Sequence, residues 1–399
     1  MKGILHQWID KCVSRGSLLI LSACLLLVAC SSSDHDETIE QPVLNIYIYA
    51  PNNMLPSRGN TDFVSSQTAE NTIKTLQIWV FEHGTNILVG YFTPSATDEL
   101  NKERQAVYQM AVTPQFVANK PNVDVYVLAN VTAENCKCQY NENTTRTQLE
   151  EALMEHNGSD DPFGLTTPTT AVPADGLPMT GALRDQKVTG ESPVLRVGDG
   201  TLATVKLVRA VSKLRFLFSQ MKNGESKMKV KSVSLTGDIL PAQQYLFLEE
   251  EYTGSQDRAN TSGAYDAGPK QLVDNIDNVA EATDPLKYSY VVGMGPQEYE
   301  NLIATGWSMA EPELTMRGPF YLRESDKKIT GEIVYTVTDA EEHTVERTAS
   351  FSIHDAGDFS RNHTWVVYAY YGSTTLDILI VRIKEWKVVQ VLNHTVYNW

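Results

Sequence analysis

Positive charge is in short supply. The 399 residues carry 33 Lys+Arg against 49 Asp+Glu, a formal net charge of −16. A surface that tracks phosphates needs clustered Lys and Arg, so nucleic acid is excluded as a partner. Long apolar runs are also lacking. The only stretch worth considering for a membrane lies before residue 30, which excludes a polytopic protein of spanning helices. Cysteine is rare, with only Cys12, Cys24, Cys30, Cys136 and Cys138. These build no disulfide framework, and Asn135-Cys136-Lys137-Cys138 lacks the further ligands a structural zinc site needs.

Catalytic signatures are missing too. The eight histidines are scattered, with no H-E-x-x-H and no pair at metal-binding spacing. No G-x-S-x-G elbow presents a nucleophilic serine. Gly293-Met294-Gly295-Pro296 lacks the third glycine of a nucleotide cradle, and Pro296 withholds a backbone N–H that a phosphate would use. His363, beside Arg361 and Asn362 at the start of a strand pattern, reads as structural. No enzyme is expected, and no cofactor or metal.

What is present begins with an address. Lys2, Lys11 and Arg15 form a basic region, and Leu18 to Ala29 an apolar one, too short to span about 30 Å of hydrocarbon as a helix. It ends in Leu27-Val28-Ala29-Cys30, similar to a bacterial lipobox, with Cys30 as the lipidated residue. Leu21-Ser22-Ala23-Cys24 fits the same pattern but leaves too little apolar sequence before it. Ser31 to Glu37 is a polar, acidic tether of the kind that resembles an outer-surface sorting signal. Residues 1–29 are therefore read as a lipoprotein signal peptide.

The rest of the chain is dominated by strand-like alternation bounded by Gly, Pro, Asn and Asp. The pattern predicts strands at Val43–Ala50, Ile73–Phe81, Leu88–Phe92, Val123–Asn130, Lys229–Thr236 and Lys287–Val292. It predicts more at Gly331–Val337, Thr348–Ile353, Trp365–Tyr371 and Leu376–Lys384. Many short strands with turns between them point to all-β sandwiches. Thr147 to Glu150 predicts a capping box opening one helix that runs to about His156. Glu249–Asp284, poor in large apolar residues, predicts a long surface excursion.

A boundary is expected near residue 200. In the run from Val205 to Phe218 the inward phase switches from odd (Val205, Leu207) to even (Leu214, Phe216, Phe218), which predicts a bulge or a crossing between domains. Trp79 and Trp365 sit within strand patterns and are expected in the core.

Several segments, in order, resemble fimbrillin, the shaft-pilin family of type V pili in Gram-negative anaerobes. They are the lipobox; the strand Val43–Ala50 with Leu55-Pro56-Ser57-Arg58-Gly59 after it; Leu76 to Phe81; and Val125 to Asn130. Further on come Leu177-Pro178-Met179-Thr180-Gly181, Val208 to Leu214, Phe320 to Ser325, Arg361-Asn362-His363, and the ending Glu385-Trp386 with a terminal Trp399. The tail after Trp386 is longer, and the Arg58 loop richer in Pro and Asn, than in the shaft pilins it resembles.

The resemblance implies two tandem β-sandwich (transthyretin-like) domains, 59–203 and 204–399, with a short helix in the first. It implies residues 30–58 as a lipidated tether and propeptide strand, cut by an arginine-specific protease between Arg58 and Gly59. Val43–Ala50 would be a plug, seating Leu44, Ile46 and Ile48 in an acceptor groove. A sandwich missing one strand exposes unpaired backbone groups that another chain's extended segment can satisfy. The tail from Lys387 to Trp399 is the candidate donor, with Val388, Val389, Val391, Leu392, Val396 and Trp399 as its apolar side chains. The bland alternative is that this tail is the last strand of its own domain. The implied partners are other copies or related pilins, the protease, the outer membrane through the lipid, and receptors on host or bacterial surfaces. Two other readings stay open: a tip or anchor subunit of the same fibre, and a monomeric surface lipoprotein that binds glycan or protein.

Overall fold

The computed structural model describes residues 41–50, 68–94, 97, 100–101, 105–132, 139–155, 163, 170–198, 203–265, 269–282 and 314–383, the last without 354, 356, 358 and 373. In the first half the chain runs β1 (Val43–Tyr49), α1 (Thr68–Asn71), β2 (Leu76–Glu82), β3 (Leu88–Phe92), β4 (Gln105–Ala111), α2 (Pro114–Asn119) and β5 (Val123–Ala129). It continues through α3 (Arg146–Glu150), β6 (Leu153–Glu155), β7 (Met179–Gln186), β8 (Val188–Glu191), β9 (Val194–Val197), β10 (Thr204–Lys206) and β11 (Val208–Arg209). The second half is β12 (Ser212–Met221), β13 (Lys227–Leu235), β14 (Pro241–Tyr245), α4 (Glu249–Thr253), β15 (Thr261–Tyr265), β16 (Lys270–Val273) and β17 (Glu281–Ala282). It closes with β18 (Thr315–Leu322), β19 (Ile329–Thr338), β20 (Thr344–Ile353), β21 (Thr364–Tyr371) and β22 (Leu376–Ile383).

The protein is all-β, as its alternation predicts. One sheet holds β10, β1, β9 and β8 with β4 beside β1; a second runs β11-β7-β5-β2-β3. They face each other across one core, to which β1 gives Leu44, Ile46 and Ile48, β2 gives Ile78 and Val80, and β5 gives Val125 and Val127. In the second half, β17-β12-β21-β22 with β18 packs on β16-β13-β19-β20. Leu214, Phe216, Val230, Ile333, Trp365 and Val367 meet there.

The phase switch is a crossing. Val205 and Leu207 belong to the first core, Ala210 and Val211 to a middle cluster, and Leu214, Phe216 and Phe218 to the second core. A register shift between Leu214 and Phe216 adds a bulge against β18. The middle cluster explains why β2 and β5 are buried almost continuously. Their outer face carries Trp79, Phe81, Tyr126 and Leu128, which pack with Leu246, Phe247, Tyr252 and Tyr321 from the second half. A sheet covered on both faces loses the simple alternation of a half-exposed one. A small sheet, β15-β14-β6, also joins the halves through its β14–β6 pairing, and the described residues from Pro42 onward form one compact unit.

Two expectations are corrected. The helix is capped at Thr145, not Thr147: the Thr145 hydroxyl accepts from Gln148 N at 3.2 Å, and Gln148 Oε1 accepts from Thr145 N at 2.8 Å. It also stops at Glu150, because Leu153–Glu155 pairs with β14, and tertiary strand pairing overrides the local helical signal. Glu249–Asp284 is not merely a surface excursion. Its sparse apolar residues Tyr252, Val273, Ile276, Val279 and Ala282 are all buried, and β16 completes the edge beside β13.

The junction between the halves is polar as well as apolar. Lys213 Nζ lies 3.2 Å from Glu70 Oε2, and both side chains are wholly buried. Tyr321 donates its hydroxyl to Glu70 Oε1. Arg209 donates to Glu70 O at 3.2 Å, to Asn362 Oδ1 at 3.1 Å, and to Asn71 Oδ1. Beside them Arg361 pairs with Glu324 and donates to the carbonyls of Leu246 and Tyr245. Burial pulls the Lys213 ammonium down to about 7, against the pull of Glu70. Burial and the Glu70 carboxylate both push the Tyr321 phenol up, so it stays protonated and serves as a donor.

Candidate functional site

The segment Val43–Tyr49 alternates Leu44, Ile46 and Ile48 with Asn45, Tyr47 and Tyr49, and β-branched and aromatic residues suit a pleated, half-buried surface. The structure seats it in the middle of its sheet rather than at an edge. One side is fully paired, antiparallel, with β4, from Val43↔Ala111 to Tyr49↔Gln105. The other side is shared by two parallel neighbours: β9 at Val43–Asn45 and β10 at Tyr47–Tyr49. The ends are fastened by Val43 N to Pro193 O at 2.8 Å, Val112 N to Pro42 O at 2.9 Å, and Leu207 N to Tyr49 O at 2.9 Å.

Leu44, Ile46 and Ile48 are at most 1% exposed and Ala50 is fully buried. Burying a Leu or Ile side chain is worth about 1.5–3 kcal/mol, so the seated strand is held chiefly by apolar side chains and two backbone ladders. One polar atom works against it. Asn45 Oδ1 is buried without a hydrogen-bond partner, and an unsatisfied buried acceptor costs about 1–3 kcal/mol. Replacing Asn45 by Val is therefore expected to raise Tm and slow any exchange of the strand, as thermal melting and an assembly time course would read.

Two motifs acquire physical reasons here. Gly181, closing Leu177 to Gly181, lies so near β10 that a Cβ would sit 2.4 Å from Lys206 O. Only glycine lets the parallel neighbour of β1 pass there. Asn130, ending Val125 to Asn130, has a left-handed φ of 57°. Its side chain accepts from Lys74 N at 2.8 Å and donates to Thr72 O at 2.8 Å and Leu177 O at 3.0 Å. It fixes the chain entering β2 and the start of the Leu177 turn together.

Of the residues singled out from sequence, Leu44, Ile46 and Ile48 lie together in the first core. Cys30, Arg58, Gly59, Val388, Val389, Val391, Leu392, Val396 and Trp399 lie outside the described residues, as do Cys136, Cys138, Lys287–Val292, Gly293–Pro296 and Trp386. Trp79 and Trp365 are fully buried. The ties of Glu70 and Asn71 to Lys213, Tyr321 and Arg209 carry no local sequence signal, since partners in the ion pair alone are 143 positions apart. Among the described residues no group of His, Cys, Asp and Glu could hold a metal ion, and no helix is long and apolar enough to cross a membrane.

Residues 53–209 match the major fimbrial subunit protein family. No curated protein matches the chain. Among solved structures, a candidate cell adhesion protein from Parabacteroides distasonis is 13% identical, covering 89% of this chain and all of its own, with a TM-score of 0.49. The tip fimbrial protein Mfa3 from Porphyromonas gingivalis is 12% identical over 86% of this chain and 98% of its own, at 0.45. The fimbrial anchor protein Mfa2 of the same organism is 8% identical over 86% and 97%, at 0.34. Over residues 53–209, then, the chain is similar to the major fimbrial subunit protein family.

Proposed function

We propose that the protein is a structural subunit of a cell-surface fimbria, exported as a lipoprotein, matured by arginine-specific proteolysis and polymerised by strand exchange. The family match over residues 53–209 supports a fimbrial role and a structural rather than catalytic one. One observation carries the exchange: β1 lies between β4 and the pair β9 and β10, with both edges paired and three large apolar side chains buried. Its removal would open a groove with backbone groups on both sides and a row of apolar sockets beneath. An extended segment from another copy or a related subunit would satisfy both. Head-to-tail linkage of this kind grows an open filament, not a closed ring.

In this reading Cys30 holds the precursor to the outer membrane, Arg58–Gly59 is the cut, and the tail from Lys387 is the donor strand. Residues 59–203 and 204–399 act as the two domains. The fibre meets receptors on host or bacterial surfaces. N-terminal sequencing of material sheared from the cell surface tests the whole proposal. The expected result is filaments whose chains begin at Gly59, alongside a membrane-bound precursor beginning at an acylated Cys30. Sheared monomers that begin at Cys30 would contradict it.

A further inference from the structure

The cut at Arg58–Gly59 would leave a new chain end nine positions before α1 in the sequence, and the strand that follows, β2, lies in the sheet facing β1. Something must keep the loss of β1 from spreading into β2. Thr72 to Thr75 are tied within their own sandwich by Asn130. Glu70 and Asn71 are tied differently. Glu70 is wholly buried and Asn71 nearly so: the Glu70 side chain reaches the other sandwich, to Lys213 on β12 and Tyr321 on β18, while Asn71 accepts from Arg209 of β11, which also donates to Asn362. The anchor of the segment behind the cut therefore does not depend on the sheet that loses its strand.

We infer that Glu70 and Asn71, locked into Lys213, Tyr321 and Arg209, form a clamp that stops strand release at α1, so that β1 leaves while β2 and the sheet beyond it keep their places. This rests on the release of β1 proposed above. The clamp suits the task because its members are buried and mutually satisfied, and breaking a buried ion pair exposes the remaining partner's full desolvation cost. Local opening of a fold follows its least stable units, and the clamp places Glu70 and Asn71 among the more stable ones. It also gives Arg209, Lys213 and Tyr321 a purpose that core packing alone does not.

The test compares amide hydrogen exchange in the full chain before and after nicking at Arg58 with an arginine-specific protease. In the wild type, nicking is expected to speed exchange in β4, β9 and β10 and leave residues 68–82 protected. Glu70→Gln keeps the side chain's shape while removing the charge that faces Lys213 Nζ at 3.2 Å. The intact variant is expected to exchange like wild type, and the nicked variant to exchange about tenfold faster across 68–82. Tyr321→Phe removes one hydrogen bond, should give the same change on a smaller scale, and serves if Glu70→Gln fails to fold. A nicked wild type that loses protection at 68–82, or nicked variants that keep it, overturn the clamp. Unchanged exchange in β4, β9 and β10 overturns strand release itself, and the clamp with it.

Discussion

An Arg58→Ala protein is expected to be exported, folded and displayed, and to form no filaments. While the loop is intact, β1 competes for its groove as part of the same chain. A short tether gives a tethered segment an effective concentration in the millimolar range, far above any incoming strand. Every transient opening therefore ends with β1 returning. Cutting the tether leaves the strand held only by its own contacts. Leu44, Ile46 and Ile48 supply about 1.5–3 kcal/mol each, and the unpaired Asn45 oxygen takes some of that back. Once the strand dissociates it dilutes away and the donor takes its place. The variant's Tm should match that of the uncut wild type, because the substitution lies outside the seated strand. Electron microscopy and a sizing column would read the result, and filaments formed by the uncut variant would contradict the account.

The second large effect is expected at the other end of the chain. Deleting residues 391–399 should leave a folded, processed monomer that cannot extend a fibre. The last described strand, β22, ends at Ile383 after pairing along its length with β21, from Tyr371↔Leu376 to Thr364↔Ile383. The second core takes Leu376, Ile378 and Ile380 from that strand. The deletion thus removes nothing from the described core or its ladders. It does remove Val391, Leu392, Val396 and Trp399, the apolar side chains a donor would place in successive sockets. Unfolding of the truncated protein would assign the tail to its own domain, and continued filament growth would point to another linkage.

Much of the architecture is legible in the sequence because it is local. The inward row of Val43–Tyr49 follows from period-2 alternation, and the parity switch between Leu207 and Leu214 gives away the passage from one core to the next. The helix boundary misleads because Thr147 and Glu150 mimic a capping box, while the real one at Thr145 and Gln148 competes with a strand pairing to residues about ninety positions away. Glu249–Asp284 misleads for a related reason: few apolar residues are enough when Tyr252, Val273, Ile276, Val279 and Ala282 are buried. The candidate site divides the same way. The inward side chains of β1 announce themselves, but the central position of β1 depends on parallel pairing with β9 and β10, far along the chain. No short-range pattern encodes such a pairing. Likewise Arg209 and Lys213 stand out as charges in an apolar run, yet nothing nearby says that Glu70 and Asn71 receive them.

The central claim is that β1 must leave before another chain can enter. Tyr47 and Val107 are directly opposed on β1 and β4, and the Val107 side chain lies exposed on the outer face. A Tyr47→Cys/Val107→Cys protein would lock the strand into its sheet by a disulfide that reductant can open. The measurement is filament mass, by sedimentation, after cleavage at Arg58 under oxidising and then reducing conditions. The account predicts cleaved monomers while the lock is closed and filaments once it is opened. Equal filament formation in both conditions would contradict it.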